Sequence, residues 1–128
     1  MNTAVESPPS HMSEVLDPKS LAKLSQLDPS GQNRLVHRVL STYRQSLARL
    51  QQQIAGGLDA TDLSTVRIGA HTLKSSSASI GALELSSLCA AVEQSIRDGQ
   101  QDRLSTLMPQ LQTEIVRVDN AVSSLLAN

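Results

Sequence analysis

Residues 28–57 read DPSGQNRLVHRVLSTYRQSLARLQQQIAGG, and within them Val36, Leu40, Tyr43, Leu47, Leu50 and Ile54 recur at steps of four and three. That spacing keeps the apolar side chains on one stripe of a helix with 3.6 residues per turn. Asp28-Pro29 offers a capping side chain and then a proline whose missing N–H costs nothing in a first turn. Gly56-Gly57 offers a stop, because two residues of high backbone entropy make continuation unfavourable. One long amphipathic helix is therefore expected, opened by Asp28-Pro29 and ended by the glycine pair.

The same reading extends in both directions. Upstream, Asp17-Pro18 repeats the start signal, and Leu21 and Leu24 share one face, so a short helix is expected there. Residues 1–14, with Ser7, Pro8, Pro9 and Ser10, hold too little apolar content to offset the entropy of ordering and read as a flexible tail. Downstream, Asp59 or Thr61 can cap a helix whose inward stripe is Leu63, Val66, Ala70, Leu73, Ser77 and Ile80, with Gly81 permitting a turn. Leu85, Leu88, Val92 and Ile96 mark a further helix that stops near Asp98-Gly99. Leu104, Leu107, Leu111, Ile115, Val118, Val122 and Leu125 mark the last, in which Pro109 either kinks the helix or begins it. Four amphipathic helices on short connections must run mostly antiparallel. The expected fold is all-α, an antiparallel up-down four-helix bundle over residues 15–127 with a short N-terminal capping helix.

Composition agrees and narrows the function. The chain has 128 residues, 39% hydrophobic but only 1% aromatic, so its core must be built from Leu, Val, Ile and Ala. With 11 Lys and Arg against 12 Asp and Glu, the net charge of -1 gives no electrostatic reason to expect nucleic acid or an anionic membrane as partner. The single cysteine, Cys89, excludes an internal disulfide, and no apolar run approaches the roughly 20 residues of a membrane span. A cytoplasmic setting is the default. No metal-spaced Cys/His set or Gly-rich phosphate loop is present, and a metal-binding bundle would need His/Glu pairs across facing helices that this chain lacks.

Residues 63–82, LSTVRIGAHTLKSSSASIGA, carry the polar feature that the core does not explain. At 100° per residue the stripe centres between Ala70 and Leu73, and His71 points roughly 130° away from it, toward solvent. Arg67 lies one turn before it on the same face, Lys74 and Ser75 one turn after, Ala78 two turns after, and Ile68 at the edge. A histidine on a helix surface is ordinarily just a solvated side chain, which is how His11 and His37 read. His71 differs through its neighbours, a cation and a run of small residues.

That run, Ala70-His71-Thr72-Leu73-Lys74-Ser75-Ser76-Ser77 through Gly81-Ala82, resembles the signature of the histidine phosphotransfer (HPt) domain family of bacterial phosphorelays. The family pattern reads approximately H-x-L-K-G-S-S followed by small residues and G-A. His71, Leu73, Lys74, Ser76, Ser77, Gly81 and Ala82 match it. The resemblance extends over about residues 15 to 127, through the Asp17-Pro18 start, the Leu85 to Val92 stripe, the Asp98-Gly99 turn and the closing helix. It departs at Ser75, where the family most often has glycine, and a hydroxymethyl there narrows the space open to a partner or hydrogen-bonds near the phosphoryl group.

The resemblance implies that His71 accepts a phosphoryl group from the aspartate of one response-regulator receiver domain and passes it to another. A neutral imidazole keeps a lone pair for attack on phosphorus, and it must be exposed because the other carrier is on a second protein. Lys74 then offsets phosphoryl charge as a flexible point cation. HPt domains commonly set a Gln or Glu against the reactive imidazole, and counting from the motif puts Glu93 there, next to the stripe residue Val92. Its carboxylate would fix the tautomer by accepting one ring N–H. Arg67, Ile68, Ser75 and Ala78 would form the partner surface. The implied protein is a phosphocarrier, not an enzyme with its own ATP site, and it holds no cofactor, the Mg²⁺ belonging to the receiver. Receiver domains and a sensor or hybrid histidine kinase are the implied partners, and a monomer is expected. The alternative is a helical-bundle adaptor that binds receivers or kinases without transferring phosphate, which would need neither His71 nor Lys74.

Overall fold

The computed structural model describes residues 15–127; the expected tail over residues 1–14, with His11, lies outside them. The described residues form five helices: α1 (Pro18–Gln26), α2 (Leu35–Asp59), α3 (Leu63–Ser79), α4 (Leu83–Arg97) and α5 (Gln101–Ala127). Three-residue connections join α2 to α3, α3 to α4 and α4 to α5, and each of these pairs packs side by side, with α5 closing the ring against α2. Connections so short turn each helix back on its predecessor, which gives the antiparallel four-helix bundle. The short α1 packs on α2.

The core lies along the bundle axis and is aliphatic, as the composition requires. Leu40, Leu47, Leu50, Val66, Leu73, Leu85, Val92, Leu111 and Val118 are each at most 2% exposed. Tyr43, the one aromatic residue, is 4% exposed, and its hydroxyl meets Ser77 Oγ at 2.9 Å, so both buried polar groups are satisfied. Burial pushes the Tyr43 phenol up to about 12.

Helix boundaries depart from expectation at both ends of α2 and at the start of α3. Asp28-Pro29 opens a turn instead of α2, because Gly31, two residues beyond the proline, adopts φ +74°. The buried Asp28 carboxylate then reaches forward and accepts from the backbone N–H of Asn33 and of Leu35, so it caps α2 from seven residues upstream. Nor does Gly56-Gly57 end α2, which runs on to Asp59. Gly57 serves packing: a Cβ there would sit 3.0 Å from Val66 Cγ2 and 3.2 Å from the Asp62 carbonyl, so the glycine lets the start of α3 close on α2. The chain turns at Thr61, φ +54°, and α3 is capped by neither Asp59 nor Thr61 but by Asp62, which accepts from Thr65 N–H at 3.2 Å and Thr65 Oγ1 at 2.7 Å.

Elsewhere the start and turn signals hold: Asp17 caps α1, with Pro18 in the first turn. Pro109 does not begin α5, which starts at Gln101 and runs on through it. Gly81, φ +84°, makes the α3–α4 turn, and its carbonyl accepts the Asp17 N–H at 2.8 Å. This bond ties the N-terminal segment to the end of the helix that carries His71. No described helix is long and apolar enough to cross a membrane.

Candidate functional site

Midway along α3 the helix presents its polar face beside α4. His71 is 57% exposed in its side chain, as expected from its angle to the Ala70–Leu73 stripe, of which both members are fully buried. About one turn before the end of α4 stands Glu93, and it is buried, with a side chain only 3% exposed. The sequence leaves Glu93 at the edge of a groove; the structure sets it inside, because Cys89, one turn earlier, is fully buried and widens the inward stripe of α4 to include it.

A carboxylate so enclosed must be hydrogen-bonded. His71 Nδ1 lies 2.8 Å from Oε2, Lys74 Nζ donates to Oε1 at 2.9 Å, and Arg97 donates through an Nη to Oε2 at 3.0 Å. The ammonium of Lys74 bonded to it holds the Glu93 carboxyl below the usual carboxylate range; burial opposes this, and His71 adds to it. An ionised carboxylate only accepts, so Nδ1 is the donor, and in the neutral ring Nε2 keeps the lone pair, on a side chain more than half open to solvent.

The Lys74 ammonium, expected as a flexible point cation, rests on Glu93, and its backbone carbonyl accepts from Ser86 Oγ of α4 at 2.9 Å. Arg97 is a member of the cluster that the sequence reading missed. The signal was present, since Glu93 and Arg97 stand four apart on one helix, a spacing that brings opposite charges together.

Around the ring the α3 face is open. Ser75 and Ala78 are exposed, Ile68 is 50% exposed, and Arg67 is half-buried. Ser75 makes no side-chain hydrogen bond among the described residues, although its backbone carbonyl accepts from Ser79 Oγ at 3.1 Å. Ser76 bonds the Leu73 carbonyl and Ser77 is buried against Tyr43, so these two serines pack while Ser75 faces solvent. His37, on α2, is exposed and has no such cluster. Cys89 is buried, and burial pushes its thiol up to about 12, which leaves it protonated and unreactive.

The Hpt domain family matches this chain over residues 38–121, a span that contains His71, Lys74, Glu93 and Arg97. Two solved structures are similar to it. Histidine-containing phosphotransfer protein B from Pseudomonas aeruginosa PAO1 superposes with a TM-score of 0.78 at 25% identity, covering 88% of this chain and 95% of that one. A rice protein assigned as a histidine-containing phosphotransfer protein superposes with a TM-score of 0.76 at 24% identity, covering 92% of this chain and 84% of that one. Among curated protein sequences none matches.

Proposed function

This chain belongs to the Hpt domain family, and we propose that in its histidine phosphotransfer the phosphoryl group rides on Nε2 of His71. The observation that carries this reading is the hydrogen bond from Nδ1 to the buried Glu93 carboxylate, which fixes the tautomer and aims the free lone pair outward. In the forward step that lone pair attacks the phosphorus of an aspartyl phosphate on a receiver domain. The P–Nε2 bond forms as the P–O bond breaks, the aspartate leaves as carboxylate with the bonding electrons, and Nδ1 keeps its proton. The same steps reversed deliver the group to a second receiver.

The chain contributes a positioned nucleophile and a surface, and the Mg²⁺ and aspartyl chemistry are assigned to the receiver. Exposed Ile68, Ser75 and Ala78, with half-buried Arg67, form the contact on this reading, and Lys74, whose ammonium shares the Glu93 carboxylate with the ring, supplies a cation at the site. A sensor or hybrid histidine kinase sits upstream. The chain is read as a cytoplasmic monomer; its unpaired Cys89 suits a reducing compartment, and among the described residues the exposed large apolar side chains, Leu27, Ile68, Leu83 and Val116, stand on four separate segments.

The test is acquisition of label from a phosphorylated receiver. The His71→Gln protein should fold, losing less than about 1 kcal/mol, and take up none. His37→Gln should label normally, and the wild-type label should be acid-labile and alkali-stable, as a phosphorus–nitrogen bond requires. Labelling of a folded His71→Gln protein would leave the non-transferring adaptor in place of the phosphocarrier.

A further inference from the structure

Glu93 carries one negative charge against the two positive charges of Lys74 and Arg97, so the surroundings of the imidazole hold a net positive charge before any phosphoryl group arrives. Both cations are anchored at one end only. Lys74 and Arg97 have side chains 34% and 53% exposed, and of the five guanidinium donors of Arg97 a single Nη makes the bond to Glu93. That bond and the Nδ1 bond of His71 end on the same atom, Oε2, so the guanidinium lies directly beside the ring.

Phosphorylation changes the charge balance at this point. A phosphoryl group brings roughly −1.5 to −2 charges and three strong acceptors to the exposed side of the ring. The imidazole, still protonated on Nδ1, becomes cationic and needs the Glu93 carboxylate more than before. Lys74 and Arg97 then have a better acceptor within reach than an oxygen already shared with His71, and the guanidinium fork suits phosphoryl oxygens.

We propose that Arg97 is a positioning residue that works with Lys74 as a pair of transferable cations, resting on Glu93 in the free chain and moving to the phosphoryl oxygens when His71 is phosphorylated. Glu93 is left to the ring. The buried carboxylate is thus a parking place that keeps two cations ordered and close without closing the approach to Nε2. Glutamine at the same place would hold the ring but would hold the cations only weakly, for it has no charge to offer them.

This inference rests on His71 being the phosphoacceptor, and the experiment separates the two. The full chain, labelled with ¹⁵N, is phosphorylated with potassium phosphoramidate. There the lone pair of Nε2 displaces ammonia: a P–N bond to ammonia breaks, the P–Nε2 bond forms and Nδ1 keeps its proton. On phosphorylation the Arg97 side-chain N–H resonances should shift strongly, while Arg44, whose guanidinium is bonded to Asp119, should be silent. In the phosphorylated Arg97→Gln protein the ³¹P titration midpoint should move up by about 0.5 pH unit or more, because a cation beside the phosphoryl group favours its dianion. Arg97→Lys, which keeps the charge without the fork, should recover only part of that shift. Unmoved Arg97 resonances, or one ³¹P midpoint for wild type and Arg97→Gln, would overturn the handover and leave His71 as the carrier. Failure of the folded wild type to label at His71, with label elsewhere or none, would take down both readings.

Discussion

At the scale of the residue, Glu93 is where the energetics of the site concentrate. A buried carboxylate is tolerable only while its donors are present, and here one oxygen serves His71 and Arg97 while the other serves Lys74. Glu93→Ala should therefore release the ring: ¹⁵N shifts of His71 should change from the single Nδ1–H tautomer to a mixture, with transfer slowed about tenfold or more. Glu93→Gln, whose amide oxygen can still accept from Nδ1, should keep the tautomer. Equal tautomer ratios in wild type and Glu93→Ala would detach the carboxylate from the imidazole. Ser75 is the residue at which the chain departs from the family pattern, and its side chain faces solvent one turn from the ring. Ser75→Gly should transfer at least as fast as wild type, and Ser75→Leu more slowly by obstructing the partner, as measured by initial rates from one phospho-receiver. His71 and Lys74 could be named from a motif and a helical wheel, which depend only on spacing, and Glu93 from what the family resemblance implies. The burial of Glu93 was hidden because it depends on counting Cys89 as an apolar member of the α4 stripe, whereas Arg97 was legible in its four-residue spacing from Glu93 and was missed.

At the scale of the element, identical local signals ended differently according to what followed them. Asp17-Pro18 starts α1, whereas Asp28-Pro29 leads into a turn through Gly31, and only tertiary folding brings the Asp28 carboxylate back to the start of α2. The stripes were legible along whole helices, since burial repeats every turn and one misassigned residue does not move the average. Caps depend on a single residue's backbone conformation, so a reading that offered Asp59 or Thr61 passed over Asp62. Gly81 joins the two scales: at φ +84° a side chain is strained, and its Cβ would lie 2.9 Å from the backbone N and O of Asp17. Gly81→Ala combines about 1–2 kcal/mol of left-handed strain with displacement of the N-terminal segment, so a loss of about 2–4 kcal/mol is expected in denaturant unfolding. A loss under about 1 kcal/mol would mean that the Asp17–Gly81 contact is dispensable.

At the scale of the whole molecule, two buried carboxylates give stability opposite dependences on pH. Glu93, held below the usual range by its donors, is ionised more readily folded than unfolded; its contribution is present above the unfolded carboxylate range and is lost as pH falls through its depressed folded value. Glu114 on α5 runs the other way. It is 4% exposed, Oε1 is bonded to Arg117 at 2.8 Å, Oε2 has no partner among the described residues, and burial pushes the carboxyl above its usual range by more than the Arg117 charge pulls it down. Its folded state prefers the proton, so its penalty is absent in acid and grows as pH rises from the ordinary carboxylate range through the raised folded value. At neutral pH an unpartnered buried oxygen is a cost that nothing at the His71 site requires. Glu114→Leu, which removes the orphan and leaves behind only the half-exposed Arg117, should raise unfolding free energy near pH 7 by about 1–2 kcal/mol. That gain should fade as pH drops below the raised Glu114 value, because the wild-type group is then neutral, while phosphotransfer through His71 stays unchanged. Urea unfolding of both proteins across pH 4 to 8 measures this directly, and a gain that held constant down to pH 4 would show that packing, not the ionised carboxylate, set the difference.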